Sequence, residues 1–242
     1  MFKLRSPIIA AAAILLLLTG CLTIEENYTF KKNGSGSMEY VVDMSEIGEL
    51  MKTLGEMSEV EGGEEMPDDI GSLDMEDELK ALKAIPGIKK VKLDAKKKWV
   101  QRLKFNFADI DALNRALNVL MADSSGMHHT FFTWDGSTLV RTNNRHAYEL
   151  GAGMAAGGSG EEDQEGNDST MTETADMEAF LGSMKYKYSF TFAEEIGDTE
   201  TAEGINKETI GTKEIRFDTD WAVISTNEKA LDLRIKLDRP AK

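Results

Sequence analysis

Residues 23–44 read TIEENYTFKKNGSGSMEYVVDM. Ile24, Tyr28 and Phe30 share one parity, and Thr23, Glu25, Asn27 and Thr29 share the other; Glu26 interrupts the apolar face. Alternation with a period of two marks a strand with one buried face. Lys31 to Gly36 is turn chemistry, and Asn33-Gly34 suits the positive φ of a tight hairpin turn. Met38, Tyr40, Val42 and Met44 then alternate with Ser37, Glu39, Val41 and Asp43. The stretch therefore reads as a β-hairpin. Ser45 can cap a following helix, whose apolar residues Ile47, Leu50, Met51 and Leu54 fall at i, i+3, i+4 and i+7.

The same order of elements recurs downstream. A short helix is expected from Leu73 to Ala84 on the apolar line Met75, Leu79 and Leu82, stopped by Pro86-Gly87. Val91 and Leu93 lead into a Lys-rich turn at Asp94 to Lys98, and Trp99, Leu103, Phe105 and Phe107 share a parity on the return strand. Asp109 can cap a helix bearing Ile110, Leu113, Leu117, Leu120 and Met121. Strand–strand–helix thus appears twice, at about 23–58 and 88–122, as a repeat of topology rather than of residues. A third hairpin has arms His129–Trp134 and Ser137–Thr142 around Asp135-Gly136. Three further strand patterns follow: Met184 to Phe192; Ile215, Phe217, Trp221 and Val223; and Leu231 to Leu237. These patterns predict an α+β fold, an antiparallel sheet of hairpins with eight or nine strands and about three helices on one face.

Residues 21–146 would form the ββα-ββα-β part, carrying an acidic Gly-rich loop at 55–72. Residues 147–178 contain no Lys or Arg and read as a disordered Gly- and acid-rich loop, after which residues 179–242 complete the domain with β strands. One domain with two long loops is the first reading; two subdomains meeting near 145–180 are the alternative.

Composition excludes several functions. The 242 residues carry 28 Lys plus Arg against 43 Asp plus Glu, a net charge of −15. A nucleic-acid binder would need a basic face, so no nucleic-acid partner is expected. One Cys excludes an internal disulfide and a Cys-based zinc site.

That Cys ends a recognisable leader. Lys3 and Arg5 precede eleven uninterrupted apolar residues, Ile8 to Leu18, and residues 1–20 read as a signal peptide. Eleven residues make a helix of about 16 Å, roughly half a bilayer core. Leu18-Thr19-Gly20-Cys21 resembles the lipobox of bacterial lipoprotein precursors. The resemblance implies cleavage between Gly20 and Cys21, a diacylglycerol- and palmitate-bearing Cys21, and a lipid-anchored place in the bacterial cell envelope. Losing Lys3 and Arg5 would leave 26 basic against 43 acidic residues, a net −17 over 222 residues. Leu22 stands where proteobacterial lipoproteins held in the inner membrane have Asp, which by resemblance favours the outer membrane. Glu25 and Glu26 loosely resemble surface-export signals. The whole order of features, lipidated Cys, hairpin, C-terminal β structure, is similar to that of LppM-like envelope lipoproteins. That class offers no catalytic motif, so no residue role is carried over.

No enzyme signature is present, and no catalytic residue, cofactor or metal site is assigned. Gly34-Ser35-Gly36 and the glycines at 157–160 are not nucleophile elbows, and no phosphate-binding Gly-Lys motif occurs. His128 and His129 read as solvated strand-edge residues. Glu161, Asp163, Glu165, Gly166 and Asn167 have EF-hand-like spacing, but Thr172 stands at the position of the bidentate Glu. Met44, Met51, Met75 and Met121 read as core filling, with a hydrophobic ligand groove as the alternative.

One cationic cluster remains: Lys89, Lys90, Lys92, Lys96, Lys97, Lys98, Arg102 and Lys104, with Asp94 the one acid among them. On a hairpin they would gather at its tip and one face. They either protect a sheet edge or contact lipid phosphates or an acidic partner. At most Leu22 and Thr23 separate Cys21 from the first strand, a reach of roughly 7 Å, so the domain should lie on the bilayer. The expected function is a membrane-anchored, non-enzymatic binding or assembly module, with an envelope protein or hydrophobic ligand as partner. An envelope hydrolase without a recognisable motif and a structural subunit of an envelope complex are the alternatives.

Overall fold

The first hairpin forms as its pattern dictates. In the computed structural model, which describes residues 22–46, 48–49, 75–149, 152 and 181–238, β1 (Thr23–Phe30) pairs antiparallel with β2 (Gly36–Asp43). Gly34 takes φ +77° at the turn, and Asn33 Oδ1 accepts from the Ser35 N–H and hydroxyl. The leader, Cys21, the 55–72 segment and most of 147–178 lie outside the described residues.

The second ββα unit also stands where the pattern places it. After α1 (Glu76–Ala84) come β3 (Ile88–Asp94), β4 (Val100–Phe107) and α2 (Ile110–Leu120). Asp109 caps α2, its carboxylate accepting the Ala112 N–H at 2.8 Å. The amphipathic α2 buries Ala112, Leu113, Ala116 and Leu117. β5 (Phe132–Trp134) and β6 (Thr138–Arg141) form the third hairpin, and Asp135 Oδ1 accepts the N–H groups of Ser137 and Thr138. Then follow β7 (Lys185–Phe192), β8 (Glu195–Thr201), β9 (Asn206–Gly211), β10 (Glu214–Asp220), α3 (Trp221–Thr226) and β11 (Leu233–Asp238).

The fold is α+β, and the strands divide into two sheets. The larger has seven in the order β3-β4-β2-β1-β7-β10-β9; the smaller has four, β5-β6-β11-β8. Pairing is antiparallel except between β1 and β7, which run parallel with Thr23 opposite Lys185 and Phe30 opposite Phe192. Both sheets draw strands from before and after the 147–178 segment, so neither is the property of one half of the chain. The faces meet in one core. Tyr28, Phe30, Phe190 and Phe192 of the large sheet stack along each other and against Phe132 and Trp134 of the small one, the offset and edge-on geometries that aromatic quadrupoles favour.

Four expectations change. Among the described residues there are eleven strands rather than eight or nine, because β8 and β9 are polar enough to carry no alternation signal. Trp221 and Val223 lie on α3 rather than on a strand; Asp220 Oδ1 accepts the Val223 N–H and starts a helix there. Ser45 lies inside the helical turn it was expected to cap, with Asp43 accepting from both its N–H and its hydroxyl. Residues 145–149 are helical and Ala147 is buried, so the first residues of the stretch expected to be a loop belong to a helix.

Candidate functional site

Strand register decides what lies beside the chain that follows Cys21, the expected lipidation position. Leu22 is already packed in the core at 7% exposure, and its carbonyl accepts the Lys185 N–H at 2.8 Å. Thr23 pairs with Asp43, Asp43 with Val100, and Arg102 with Asp94. The β3–β4 turn, residues 95–99, therefore lies at the same end of the sheet as Thr23. At about 4.8 Å per strand it is some 10–15 Å away.

The eight bases do not form one patch, although all are exposed. Lys96, Lys97 and Lys98 occupy the turn. Lys89 and Lys90 lie near the opposite end, about 20 Å away at roughly 3.3 Å per residue, where the ladder slips between Lys89 and Lys92 and Lys90 takes φ +56°. Arg102 and Lys104 both reach Glu39 on β2, at 3.3 and 3.0 Å, and Lys92 sits opposite Lys104. β3 is an edge strand, so Lys89, Lys90 and Lys92 suit the protection of an unpaired edge.

The turn itself is braced. Trp99 holds φ +70°, a left-handed backbone that a bulky residue adopts only under tertiary constraint. Its carbonyl accepts the Met44 N–H at 2.8 Å, and its indole lies so close to Gly48 that a Cβ there would collide with the ring. Lys98 Nζ sits 5.7 Å from the same ring.

A second polar centre lies inside the core. Glu26, the residue that breaks the β1 apolar face, is fully buried and bidentate to Arg141 at 2.7 and 3.0 Å. The hydroxyls of Tyr28 and Tyr186 donate to the same carboxylate. Arg141 Nε donates to Asn144, whose amide donates to Asp232. The guanidinium also lies beside the rings of Tyr188 and Phe132. Burial pushes the Glu26 carboxyl up, but the Arg141 charge and the hydroxyl donors leave it below the usual carboxylate range. Burial, then the Glu26 charge, hold both tyrosine hydroxyls well above their ordinary value. This centre was missed at the level of sequence. The one signal was an acid inside an otherwise apolar alternation, and its partner is 115 residues away.

Other candidate groups are occupied. A cleft of about 590 Å³ between α2 and residues 128–134 is lined by Asn114, Asn118, Arg115 and Trp134. Asn114 there takes the Phe132 N–H and gives to its carbonyl, and Asn118 does the same with His129. His129 is not solvated as expected: it is 14% exposed, with Nε2 2.6 Å from Asp123. Asp218 and Asp220, two apart on β10, are no free acid pair, since Asp220 caps α3 and Asp218 accepts from Asn206. Among the described residues no group of three or more His, Cys, Asp or Glu is placed to hold a metal ion, and no helix is long and apolar enough to cross a membrane.

No family model matches the chain, and no curated protein does. Among solved structures, the chain is similar to the folded domain of the Mycobacterium tuberculosis LppM protein, determined by NMR, at 10% identity and a TM-score of 0.43, over 92% of this chain and 93% of that one. At that identity and score the likeness transfers no residue role.

Proposed function

We propose that the chain is a lipid-anchored bacterial envelope protein whose domain is a non-enzymatic binding or assembly module held against the bilayer. The observation that carries this reading is the position of Leu22: the packed core begins one residue after the cysteine of the lipobox-like motif. One extended residue spans about 3.5 Å, so an acylated Cys21 leaves the domain no leash. Two or more acyl chains anchor stably where one does not. Leu22 in place of Asp supports the outer membrane as the destination. The hydrolase alternative draws no support from Asp218 and Asp220, which are engaged as cap and hydrogen-bond acceptor.

The test is metabolic labelling with radioactive palmitate in a bacterial host, followed by separation of membrane and soluble fractions. The wild type should take up label and sediment with membranes. Cys21→Ala behind a cleavable non-lipoprotein leader should take up none and be released. A wild type without label, or equal labelling of the Ala variant, overturns the reading.

A further inference from the structure

We infer that the sheet end formed by Thr23 and the β3–β4 turn is the surface that rests on anionic phospholipid headgroups, with Lys96, Lys97 and Lys98 as its phosphate contacts. The inference rests on the anchored reading and deepens it by naming the face and the lipid chemistry. Three observations converge. The register places the turn at the end of the sheet where the chain enters from Cys21, about 10–15 Å across the strands. The three lysines are consecutive and exposed, with no acid among them. The turn is held in a fixed direction by Trp99, whose left-handed backbone, carbonyl bond to Met44 and packing on Gly48 tie it to the helical turn at 45–49.

Among the described residues, the acids on the strand ends and the helical turn here include Asp43, Asp94, Asp220, Glu46 and Glu49. Asp94 accepts the Lys96 N–H, Asp43 accepts from the N–H and hydroxyl of Ser45, and Asp220 accepts the Val223 N–H. Glu46 and Glu49 lie on the helical turn that follows β2. Lys89 and Lys90 are excluded from the contact by their place at the far end of β3. A strongly acidic domain is repelled by an anionic leaflet, and a basic point beside the anchor decides which end faces it.

The single cysteine makes the test direct, because acylation of Cys21 leaves an introduced thiol as the one free label site. Acylated protein carrying a fluorophore at Lys97→Cys or at Lys90→Cys is placed in phosphatidylcholine vesicles with and without phosphatidylglycerol. A headgroup-located quencher should dim the label at 97, more so with phosphatidylglycerol, and leave the label at 90 bright. Equal quenching at both positions, or stronger quenching at 90, overturns the inference while membrane retention leaves the anchored reading standing.

A second arm does not depend on acylation. The chain from residue 21 with Cys21→Ser should float with phosphatidylglycerol vesicles at low ionic strength and be released by salt. Replacing Lys96, Lys97 and Lys98 with Gln should weaken partition about five-fold per lysine, on the order of 100-fold together. No flotation of the unsubstituted chain, or equal flotation of both, counts against headgroup contact even if palmitate labelling succeeds.

Discussion

Glu26 and Arg141 show what a buried charge does in this core. The pair links the centre of the large sheet to the small sheet, and both oxygens of the carboxylate are used twice. Removing one partner strands the other in a medium of low dielectric. Glu26→Gln should therefore cost about 3–5 kcal/mol, read as a fall in urea midpoint. Glu26→Leu with Arg141→Met, Tyr28→Phe and Tyr186→Phe should recover most of the loss, because an apolar replacement strands no charge, and of the partners of this centre it is the Asn144 side-chain oxygen that loses a donor. Simple addition of the single losses would contradict this account of the pair. His146 sets a second test. Both its ring nitrogens are buried without a hydrogen-bond partner, and burial pushes its pKa down to about 4. The unfolded chain, with a His pKa near 6.5, therefore binds the proton first. The contribution of the neutral ring is complete above about pH 6.5 and is lost as pH falls toward about 4, some 3 kcal/mol in all. The difference in unfolding free energy between the wild type and His146→Phe should change by that amount between pH 7 and pH 4; a difference that stays constant with pH would refute it.

Helix α2 positions the small sheet through two amides one turn apart. Asn114 and Asn118 bond the backbone of Phe132 and His129 as a neighbouring strand would, which fixes the segment entering β5. Asn114→Ala would leave the Phe132 N–H and carbonyl without these bonds, so a loss of about 1–3 kcal/mol is expected in chemical denaturation; an unchanged midpoint would mean that β5 is held by packing alone. Legibility differed between elements for physical reasons. β1, β7 and β11 each present one face to the core and the other outward, and their alternation marks them; β2 and β4 alternate too, except that Val41 and Val100 on the other parity are also buried. β8 and β9 carry mostly polar residues at the margin of the sheets, and they form because neighbours offer backbone partners. The Trp221–Val223 parity fits a strand equally well, and the Asp220 cap resolves it as a helix.

The connectivity of the molecule is non-local at its centre. β1 pairs with β7 across more than half the chain, and β6, before the 147–178 segment, pairs with β11 after it. A fragment of residues 21–146 keeps β1 to β6 but loses β7, β10 and β11, exposing the Tyr28–Phe30 face that Phe190 and Phe192 cover. It should show no cooperative thermal transition and little amide dispersion by NMR; a folded, dispersed spectrum would show that the ββα units suffice alone. This architecture separates what was legible in residue order from what was not. The one-faced strands, the hairpin turns and two of the three fully described helices follow from local chemistry, because alternation, caps and positive-φ glycines act over a few residues. The split into two sheets, the parallel β1–β7 seam, the Glu26–Arg141 centre and the division of eight basic residues into a turn, an edge and pairs with Glu39 follow from which strand lies beside which. That choice is made by burial of faces far apart in the chain, and no window of sequence contains both partners.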